Sequence, residues 1–244
     1  MINQKIKIAL LGYGAMGREI EKISEANGAV ITDIFDIDSP ISETGNYNFD
    51  VAIDFTHPGA VLENIQKLTK LNKPMVIGTT GWYENLSEVE KLIQEKNGKL
   101  IYASNFSVGV QLLFKIIRNA SALFNNQEMY DIAINEIHHV RKVDSPSGTA
   151  ISLANIVLDE VNRKSETLYE TSHQKIDSNQ LHVTSSRLGD TPGTHTVSYD
   201  CSADTIEITH RARNRSGFAI GSIIASKWIL NQGKSGVYLF DDIL

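Results

Sequence analysis

The residues best suited to chemistry lie in the segment from Glu136 to Ala150, which reads Glu-Ile-His-His-Val-Arg-Lys-Val-Asp-Ser-Pro-Ser-Gly-Thr-Ala. Two imidazoles, a guanidinium and an ammonium fall within residues 138–142. The whole sequence has a formal net charge of -6, so this local positive charge predicts an anionic ligand. A histidine at such a site can give or accept a proton, which typically contributes ~10²–10⁴ to a reaction rate.

The end of this segment, the Ser-Gly-Thr of residues 147–149, is predicted to begin a helix. Hydroxyl groups and N–H groups at a helix start bind carboxylates and phosphates. An anionic substrate would therefore meet Lys142 on one side and the helix start on the other. His138 and His139 are neighbours in an extended stretch, so their side chains point to opposite sides and we expect different roles for them.

Other interpretations of the same segment remain open at this point. Adjacent histidines also occur as surface residues without a function. A structural zinc site needs a third ligand at a recognisable spacing, which Glu136, His138 and His139 lack, so we predict no metal. A hydrolase nucleophile at Ser147 would require a G-x-S-x-G elbow, which the sequence does not contain.

A second motif lies near the N-terminus, where Gly12-Tyr13-Gly14-Ala15-Met16-Gly17 fits G-x-G-x-x-G between a predicted strand and a predicted helix. The first glycine permits a tight turn, the second lets the backbone approach a pyrophosphate, and the third lets the helix pack closely. Asp36 follows Gly17 by 36 − 17 = 19 residues, at the end of the next strand, where an acid accepts the ribose hydroxyls. The motif therefore predicts dinucleotide binding.

Asp36 also bears on the choice of cofactor. A carboxylate ~5 Å from a 2′-phosphate costs about 3 kcal/mol per charge pair at an effective dielectric constant of ~20. Ile37, not an arginine, follows Asp36, although Arg18 lies one residue after the glycine loop and could offset part of the repulsion. We therefore expect NADH to be at least as good a cofactor as NADPH.

The elements that would position these motifs alternate between strands and helices in the first hundred residues. Strands are predicted at 6–11, 30–35, 51–55, 75–77 and 100–103, and helices at 16–27, 58–71 and 84–96. We interpret this as strand and helix alternating five times, which predicts an α/β domain with a Rossmann-type doubly wound parallel sheet. The Gly-Thr-Thr-Gly turn at 78–81 and Asn105 would lie at the carboxyl edge, where such sheets bind ligands.

The second half follows a different pattern. Helices are predicted at 108–124, 149–161 and 217–230, an alternating stretch leads from Ile132 to His138, and strands are predicted at 182–187, 194–199 and 205–210. The turn signals between these strands favour an α+β domain with a mostly antiparallel sheet.

Composition excludes several classes of protein. The acidic balance argues against a general nucleic-acid binder. Cys201 is the single cysteine among 244 residues, so an intrachain disulfide is impossible and a reducing compartment is expected. The start of the sequence has no signal-peptide pattern, and no apolar run approaches the ~20 residues of a membrane helix. We expect a cytoplasmic protein without nucleic-acid or membrane partners.

An ordered set of motifs spans nearly the whole sequence. It comprises Gly12 to Gly17, Phe55-Thr56 followed by Pro58, Gly78 to Gly81, Asn105-Phe106-Ser107-Val108-Gly109, Glu136 to Ala150, Ser186-Arg187-Leu188-Gly189-Asp190 with Pro192-Gly193, Glu207-Ile208-Thr209-His210, and Phe218-Ala219. In these motifs the sequence resembles the dihydrodipicolinate reductase (4-hydroxy-tetrahydrodipicolinate reductase) family. The His-His-x-x-Lys-x-Asp-x-Pro-Ser-Gly-Thr-Ala string is highly specific, whereas the glycine loop alone is not.

The resemblance implies an oxidoreductase of lysine and diaminopimelate biosynthesis that reduces 4-hydroxy-tetrahydrodipicolinate to tetrahydrodipicolinate with NADH or NADPH. His138 would be the proton donor or acceptor and Lys142 its catalytic partner. The substrate carboxylates would be held by His139, Ser147, Gly148 and Thr149. The cofactor would be bound by Gly12, Tyr13, Gly14, Ala15, Met16, Gly17, Asp36, Gly78, Thr79, Thr80, Ala103, Ser104, Asn105 and Phe106.

The resemblance also implies the domain organisation. Residues 1–105 would form the dinucleotide-binding domain, to which 215–244 return, and 106–214 would form a substrate-binding domain that builds a homotetramer through its sheet. Two features depart from the family pattern. Ala15 stands where many relatives carry a basic residue, which weakens any NADPH preference, and the polar stretch between Asp36 and Asp50 is short.

Two other functions fit part of the sequence. A different Rossmann reductase, such as an aspartate or homoserine dehydrogenase, would share the glycine loop but not the histidine-lysine string. A redox-sensing binding module would keep the nucleotide site but have little reason to retain His138, His139 and Lys142 beside a carboxylate-binding helix start.

Overall fold

A computed structural model describes residues 5–169 and 171–244 of the chain. The expectation that no signal peptide precedes the first strand concerns residues 1–4, which lie outside the described residues. The chain divides into two compact units: unit 1 contains the residues up to Val108 together with Arg215–Leu244, and unit 2 contains Gly109–Asn214. None of the helices formed by the described residues combines the length and apolar character needed to cross a bilayer.

The strands and helices are numbered along the chain. The strands are β1 (Ile6–Leu11), β2 (Ala29–Phe35), β3 (Val51–Asp54), β4 (Met75–Ile77), β5 (Lys99–Tyr102), β6 (Asp131–His138), β7 (Glu166–Leu168), β8 (Gln180–Arg187), β9 (Thr194–Asp200), β10 (Thr205–Arg211) and β11 (Gly236–Leu239). The α-helices are α1 (Ala15–Ser24), α2 (Pro58–Lys70), α3 (Leu86–Glu95), α4 (Val108–Asn125), α5 (Gly148–Glu160) and α6 (Ser216–Asn231).

Unit 1 is built on a parallel sheet whose strands, within the described residues, lie in the order β11-β5-β4-β3-β1-β2. The sheet is covered on both faces, which is why its strands are continuous apolar runs. In β1, Ile8 and Leu10 pack with residues of α1 and α6, whereas Ala9 and Leu11 pack with residues of α2 and α3. This confirms the predicted Rossmann-type α/β class.

Two features of unit 1 differ from the sequence-based expectation. The link between β2 and β3, all of whose residues are described, contains no helix, so strand and helix do not alternate five times. Ile41 and Phe49 in this link are buried beside Phe35, and they cover the sheet where a helix would otherwise lie. The second feature is β11, a short strand that adds to the edge of the sheet next to β5 and had not been predicted from periodicity.

Unit 2 contains a second sheet, whose described strands lie in the order β10-β9-β6-β8-β7. This confirms the predicted α+β domain, but the sheet is mixed and only in part antiparallel: β9 pairs antiparallel with β6 and β10, whereas β8 pairs parallel with β6 and β7. The physical reason is the connection through α5. A crossover helix brings the chain back to the starting edge, so the strands that come next, β7 and β8, run parallel to β6.

One face of this second sheet packs against α4 and α5. Ile132 and Ile134 of β6 alternate inward with period two, and they contact Ile117 of α4 and Leu153 of α5 in one apolar cluster. Two residues further along the same face the apolar pattern ends, because the next inward positions of β6 are Glu136 and His138. The fold therefore buries a polar group at the carboxyl end of β6.

Candidate functional site

The glycine loop of unit 1 is shaped by three different constraints. Gly12 has a φ of +88°, and a Cβ there would lie 2.5 Å from the carbonyl oxygen of Phe55. A Cβ on Gly17 would lie 2.5 Å from the carbonyl oxygen of Gly12, so the start of α1 packs directly on the turn. Gly14 differs, because a Cβ there would meet nothing within 4 Å. The backbone at Gly14 is thus open where a dinucleotide pyrophosphate would approach.

A cavity of about 340 Å³ lies at this opening, at the carboxyl ends of the strands of unit 1. Six of the predicted cofactor-binding residues contribute to its wall, and the loop after β3 provides the rest. The lining residues are Gly14, Ala15, Met16, Gly78, Thr79, Thr80, Phe55, Thr56 and Pro58. The open backbone at Gly14, the start of α1 and this cavity together fit a dinucleotide phosphate.

Asp54, at the end of β3, holds two walls of this cavity together. Its buried carboxylate accepts hydrogen bonds from the Thr56 N–H at 2.9 Å and the Thr56 hydroxyl at 2.6 Å. It also accepts one from the Thr79 hydroxyl at 2.8 Å and one from the Asn64 side chain at 2.8 Å. The loops after β3 and β4 are therefore fixed to one carboxylate.

The other predicted cofactor residues do not line the cavity. Asp36 is exposed after β2, and one of its carboxylate oxygens accepts the N–H groups of Asp38 and Ser39 at 3.1 Å each. Tyr13 bonds to Glu21 through its hydroxyl. After β5, Ala103 and Phe106 are buried in the core, Ser104 is exposed, and the side chain of Asn105 accepts the N–H of Ser107 at 2.8 Å.

In unit 2, the sheet ends in a row of polar side chains on the face that packs against the helices. The strand register places His210 beside His195, His195 beside Glu136, and Glu136 beside Ser185. The next row contains His138 beside Arg187. Four adjacent strands thus bring histidines and a carboxylate to one end of the sheet.

Glu136 is fully buried at the centre of this row. Its Oε1 accepts the backbone N–H of Ser147 at 3.0 Å and lies 3.5 Å from an amino group of Arg187. Its Oε2 lies 3.2 Å from Nδ1 of His138 and 3.5 Å from Nε2 of His195. Burial alone raises the pKa of Glu136, but the donors of His195, Ser147 and Ser185 outweigh it and hold the pKa well below its ordinary value.

His138, the predicted proton donor or acceptor, closes β6 and is buried. The pKa of His138 is lowered from 6.5 to about 4. Burial is the largest cause, the charge of Glu136 opposes it, and His195, Lys142 and Arg187 add to the lowering. The imidazole is therefore neutral at neutral pH in the free protein. A negatively charged ligand nearby would raise its pKa and favour a protonated ring.

The loop after β6 carries His139 and Lys142, and the charge of Lys142 is paired within the loop. The ammonium of Lys142 bonds to both carboxylate oxygens of Asp144, at 2.7 and 2.9 Å. This pair holds the pKa of the Asp144 carboxyl below its usual range. His139 is half-buried, and its carbonyl accepts the N–H of Lys142 at 3.1 Å. The guanidinium of Arg187 donates to the carbonyl of Asp144 at 2.7 Å and so braces the loop.

The predicted substrate residues 147–149 do begin α5, and Ser147 is its N-cap. The Ser147 hydroxyl is buried, accepts the N–H of Ala150 at 3.2 Å and contacts Nε2 of His195 at 3.1 Å. It is thus occupied in capping the helix. Gly148 is exposed at the first helical position, and Thr149, which follows it, is half-buried.

Glu136, His138 and His195 each direct a nitrogen or oxygen to one point, with these atoms within 4.8 Å of one another. Such spacing also suits a small cation. We do not assign them as metal ligands, because Nε2 of His195 is already hydrogen-bonded to Ser147 and the three groups can share protons instead.

The low pKa of His138 predicts a pH dependence of stability. Its pKa falls from 6.5 to about 4 on folding, so the unfolded chain binds more protons between these values and the free energy of unfolding decreases as the pH falls through this window. We expect the melting temperature of His138→Gln to fall less than that of the wild type between about pH 7 and about pH 5.5, a range above the carboxyl titrations. Thermal denaturation at both pH values measures this, and equal decreases in the two proteins would contradict it.

Several residues of these two sites were missed from the sequence. Phe55, Thr56 and Pro58 were seen only as part of the resemblance, although their place directly after a buried strand could have marked them as ligand-binding. Glu136 was considered only as a metal ligand. Arg187 was likewise seen only as part of the resemblance, and His195 was not singled out, because only the strand register brings these two residues to Glu136.

Comparison with known proteins gives a consistent result. Residues 6–106 match the family model of the dihydrodipicolinate reductase N-terminus, and residues 109–244 match that of its C-terminus. The chain is 38% identical over 239 residues to the 4-hydroxy-tetrahydrodipicolinate reductase of Christiangramia forsetii, covering 98% of both chains. It is 35% identical to that of Saccharophagus degradans, covering 95% of this chain and 83% of the relative. The fold is similar to a dipicolinate-bound dihydrodipicolinate reductase from Paenisporosarcina, with a TM-score of 0.78, 24% identity and coverage of 98% of this chain and 100% of that one.

Proposed function

The chain belongs to the dihydrodipicolinate reductase family, and from this we propose that it reduces 4-hydroxy-tetrahydrodipicolinate to tetrahydrodipicolinate, a step of lysine and diaminopimelate biosynthesis. The reaction consumes the substrate, a reduced pyridine nucleotide and a proton. It yields tetrahydrodipicolinate, the oxidised nucleotide and water. The hydroxyl group of the substrate leaves as water, and a hydrogen takes its place on the same carbon.

The observation that carries this proposal is the polar end of the sheet in unit 2. His138 and the loop with Lys142 lie there beside the start of α5, and Glu136 links the two through His138 and Ser147. A proton donor, a cation and helix N–H groups are what a reaction on a cyclic dicarboxylate requires. Burying a histidine lowers the stability of the fold, and a role in proton transfer explains why a histidine lies at this position.

In this proposal His138 delivers the proton that balances the hydride. The substrate carboxylates raise the pKa of His138 from its low value in the free protein, so the ring is protonated when the substrate is bound. Lys142 holds one carboxylate, which takes the place that the exposed carboxylate of Asp144 occupies in the free protein. His139, Gly148 and Thr149 hold the other carboxylate at the start of α5. Ser147 supports them from below as the helix cap.

Unit 1 holds the dinucleotide. The backbone at Gly14 and the start of α1 receive the pyrophosphate, and Asp36 accepts the hydroxyls of the adenine ribose. Thr79 and Thr80 line the cavity, and Asp54 fixes the loop of Thr79 in place. When bound, the nicotinamide supplies the hydride.

In this proposal Asp36 disfavours the 2′-phosphate of NADPH, so that NADH is at least as good a cofactor. Replacing Asp36 with asparagine removes the repulsion of a 2′-phosphate, which amounts to about 3 kcal/mol at most for one charge pair. We expect the ratio of kcat/KM for NADPH to that for NADH to rise at least about tenfold in Asp36→Asn. Asp38→Asn is the matched control, since it removes a charge from the same exposed loop. An unchanged ratio in Asp36→Asn, or an equal rise in both variants, would contradict this role.

We further propose that the protein assembles as a homotetramer through the second face of the sheet in unit 2. On this face Thr196 and Thr209 bond across β9 and β10 at 2.9 Å, and Ser198 donates to Glu207 at 3.2 Å. A sheet face with short, partly exposed polar side chains is flat enough to receive another copy of itself.

A coupled assay tests the proposed function. The substrate is made in place by a synthase, and the absorbance of the reduced nicotinamide is followed with NADH and NADPH in parallel. Oxidation that depends on both the synthase and this chain supports the proposal. Binding of NADH without any oxidation would leave the dinucleotide site standing and refute the reaction.

A further inference from the structure

Glu136 is not exposed to solvent, yet it contacts side chains of β6, β8 and β9 and the start of α5 in unit 2. Its Oε1 faces the N–H of Ser147 and the guanidinium of Arg187, and its Oε2 faces the rings of His138 and His195. A buried carboxylate is costly unless its oxygens are matched by donors. Here two of the donors, the Ser147 N–H and the His138 ring, belong to residues that the proposed reaction uses.

The contact with His138 has a particular geometry. Oε2 of Glu136 and Nδ1 of His138 are both buried and lie 3.2 Å apart, and as placed neither atom has a hydrogen-bond partner in the described part of the chain. Two such atoms satisfy each other when Nδ1 carries a proton. The second ring nitrogen, Nε2, is on the opposite side of the ring and faces away from the carboxylate. It lies by Gly193, where even an alanine would put its Cβ 2.9 Å from Nε2.

The contacts of Oε1 act on the loop that carries Lys142. The Ser147 N–H bond fixes the end of this loop at the start of α5. Arg187, which faces Oε1, donates to the carbonyl of Asp144 at 2.7 Å, and Asp144 holds the ammonium of Lys142. One carboxylate is therefore connected to the loop at two places and to His138 at a third.

We propose that Glu136 is the positioning residue of this site, which holds His138 with its proton on Nδ1 and its Nε2 toward the substrate, and which anchors the Lys142 loop through Ser147 and Arg187. The inference rests on the proposed function, in which His138 moves the proton. A carboxylate behind an imidazole selects the ring tautomer and stabilises the imidazolium that forms when Nε2 is protonated. The groups that face His138 are Glu136 of β6, His195 of β9, Arg187 of β8 and Lys142 of the loop.

Glu136→Gln tests this by reversing the hydrogen bonding. The Ser147 N–H and Arg187 both require an acceptor at the Oε1 position, so the amide oxygen of glutamine stays there and its NH₂ faces Nδ1 of His138. A donor at that point requires a lone pair on Nδ1 and moves the proton to Nε2. Two-bond ¹H–¹⁵N spectra of ¹⁵N-histidine-labelled protein at neutral pH report the tautomer, and His138→Gln assigns the signal. We expect Nδ1–H in the wild type and Nε2–H in Glu136→Gln.

The kinetic consequence separates positioning from a merely structural role. We expect kcat of Glu136→Gln to fall at least about tenfold, with the KM for NADH within about twofold of the wild type. The basic limb of the pH profile of kcat is expected to move to lower pH, because the Glu136 charge that raises the pKa of His138 is lost. Asp131→Asn is the matched control, because this exposed carboxylate on the same strand pairs with Lys164 instead. Its kcat and tautomer signal are expected to remain those of the wild type.

An Nε2–H tautomer in the wild-type protein would overturn the proposal, and this result does not depend on the folding of any variant. A Glu136→Gln protein with wild-type tautomer and wild-type kcat would overturn it as well. If the wild-type chain does not oxidise NADH in the coupled assay, the proposed function fails, whereas the tautomer spectra still decide whether Glu136 holds His138.

Discussion

His138→Gln is expected to lower kcat by ~10² or more while NADH binding stays unchanged. Glutamine keeps a polar side chain at the end of β6 but cannot deliver the proton that the reaction consumes together with the hydride. Because His138 belongs to unit 2 and the glycine loop to unit 1, the substitution leaves the dinucleotide cradle intact. The measurement is kcat from the coupled assay, together with the dissociation constant of NADH from its fluorescence.

His173→Gln is the control for this experiment, since His173 is an exposed histidine of the same unit. It is expected to keep the wild-type kcat. Turnover of His138→Gln near the wild-type value would remove His138 from the proton transfer. A parallel loss of NADH binding would indicate a general disturbance of the protein instead.

Gly14→Ala is expected to abolish or severely weaken NADH binding without lowering the melting temperature. The backbone of Gly14 has a φ of -80°, which alanine adopts easily, and an added Cβ meets nothing within 4 Å. In the proposed complex that open space is taken by the pyrophosphate, so the methyl group collides with the cofactor. We expect binding at least about tenfold weaker, or ~1.4 kcal/mol. Fluorescence titration and thermal denaturation measure the two quantities.

Gly17→Ala provides the opposite control within the same loop. Its Cβ would lie 2.5 Å from the carbonyl oxygen of Gly12, so the turn or the helix must shift. A shift of this kind lowers the free energy of unfolding by roughly 1–3 kcal/mol. We expect a lower melting temperature for Gly17→Ala and an unchanged one for Gly14→Ala. Wild-type NADH affinity in Gly14→Ala would show that the pyrophosphate does not approach this residue.

Much of the fold could be predicted from the sequence, because long elements repeat their signals. The apolar run of β1 buries Ile8 and Leu10 on one face and Ala9 and Leu11 on the other, as a parallel strand covered on both sides requires. The long helices carry a stripe of apolar residues over several turns. The glycine loop was visible for another reason, because three glycines at fixed spacing between a strand and a helix form a recognisable motif.

Two short strands and the pairing of strands in unit 2 could not be predicted. Strands β7 and β11 have three and four residues, too few to establish a period of two. The parallel pairing of β6 with β8 follows from the crossover through α5 and leaves no mark in either strand. Periodicity assigns residues to a strand but does not say which strand lies next to it.

The polar cluster of unit 2 shows the same limit at the level of the site. Glu136 and His138 could be placed on one face of β6 from their spacing alone. His195 and Arg187 reach them only because β9 and β8 pair with β6 in one register, and a shift by one residue would turn both side chains to the other face. Glu136 and His138 were therefore visible in the sequence, whereas the residues that strand pairing brings to them were not.

Transfer of a labelled hydride tests the central claim most directly. The coupled reaction is run with NADH that carries deuterium at both positions of the reactive nicotinamide carbon, and the product is examined by mass spectrometry and NMR. The account predicts tetrahydrodipicolinate with one deuterium on the carbon that carried the hydroxyl group, formed only when this chain is present. An unlabelled product, or deuterium on another carbon, would contradict the account.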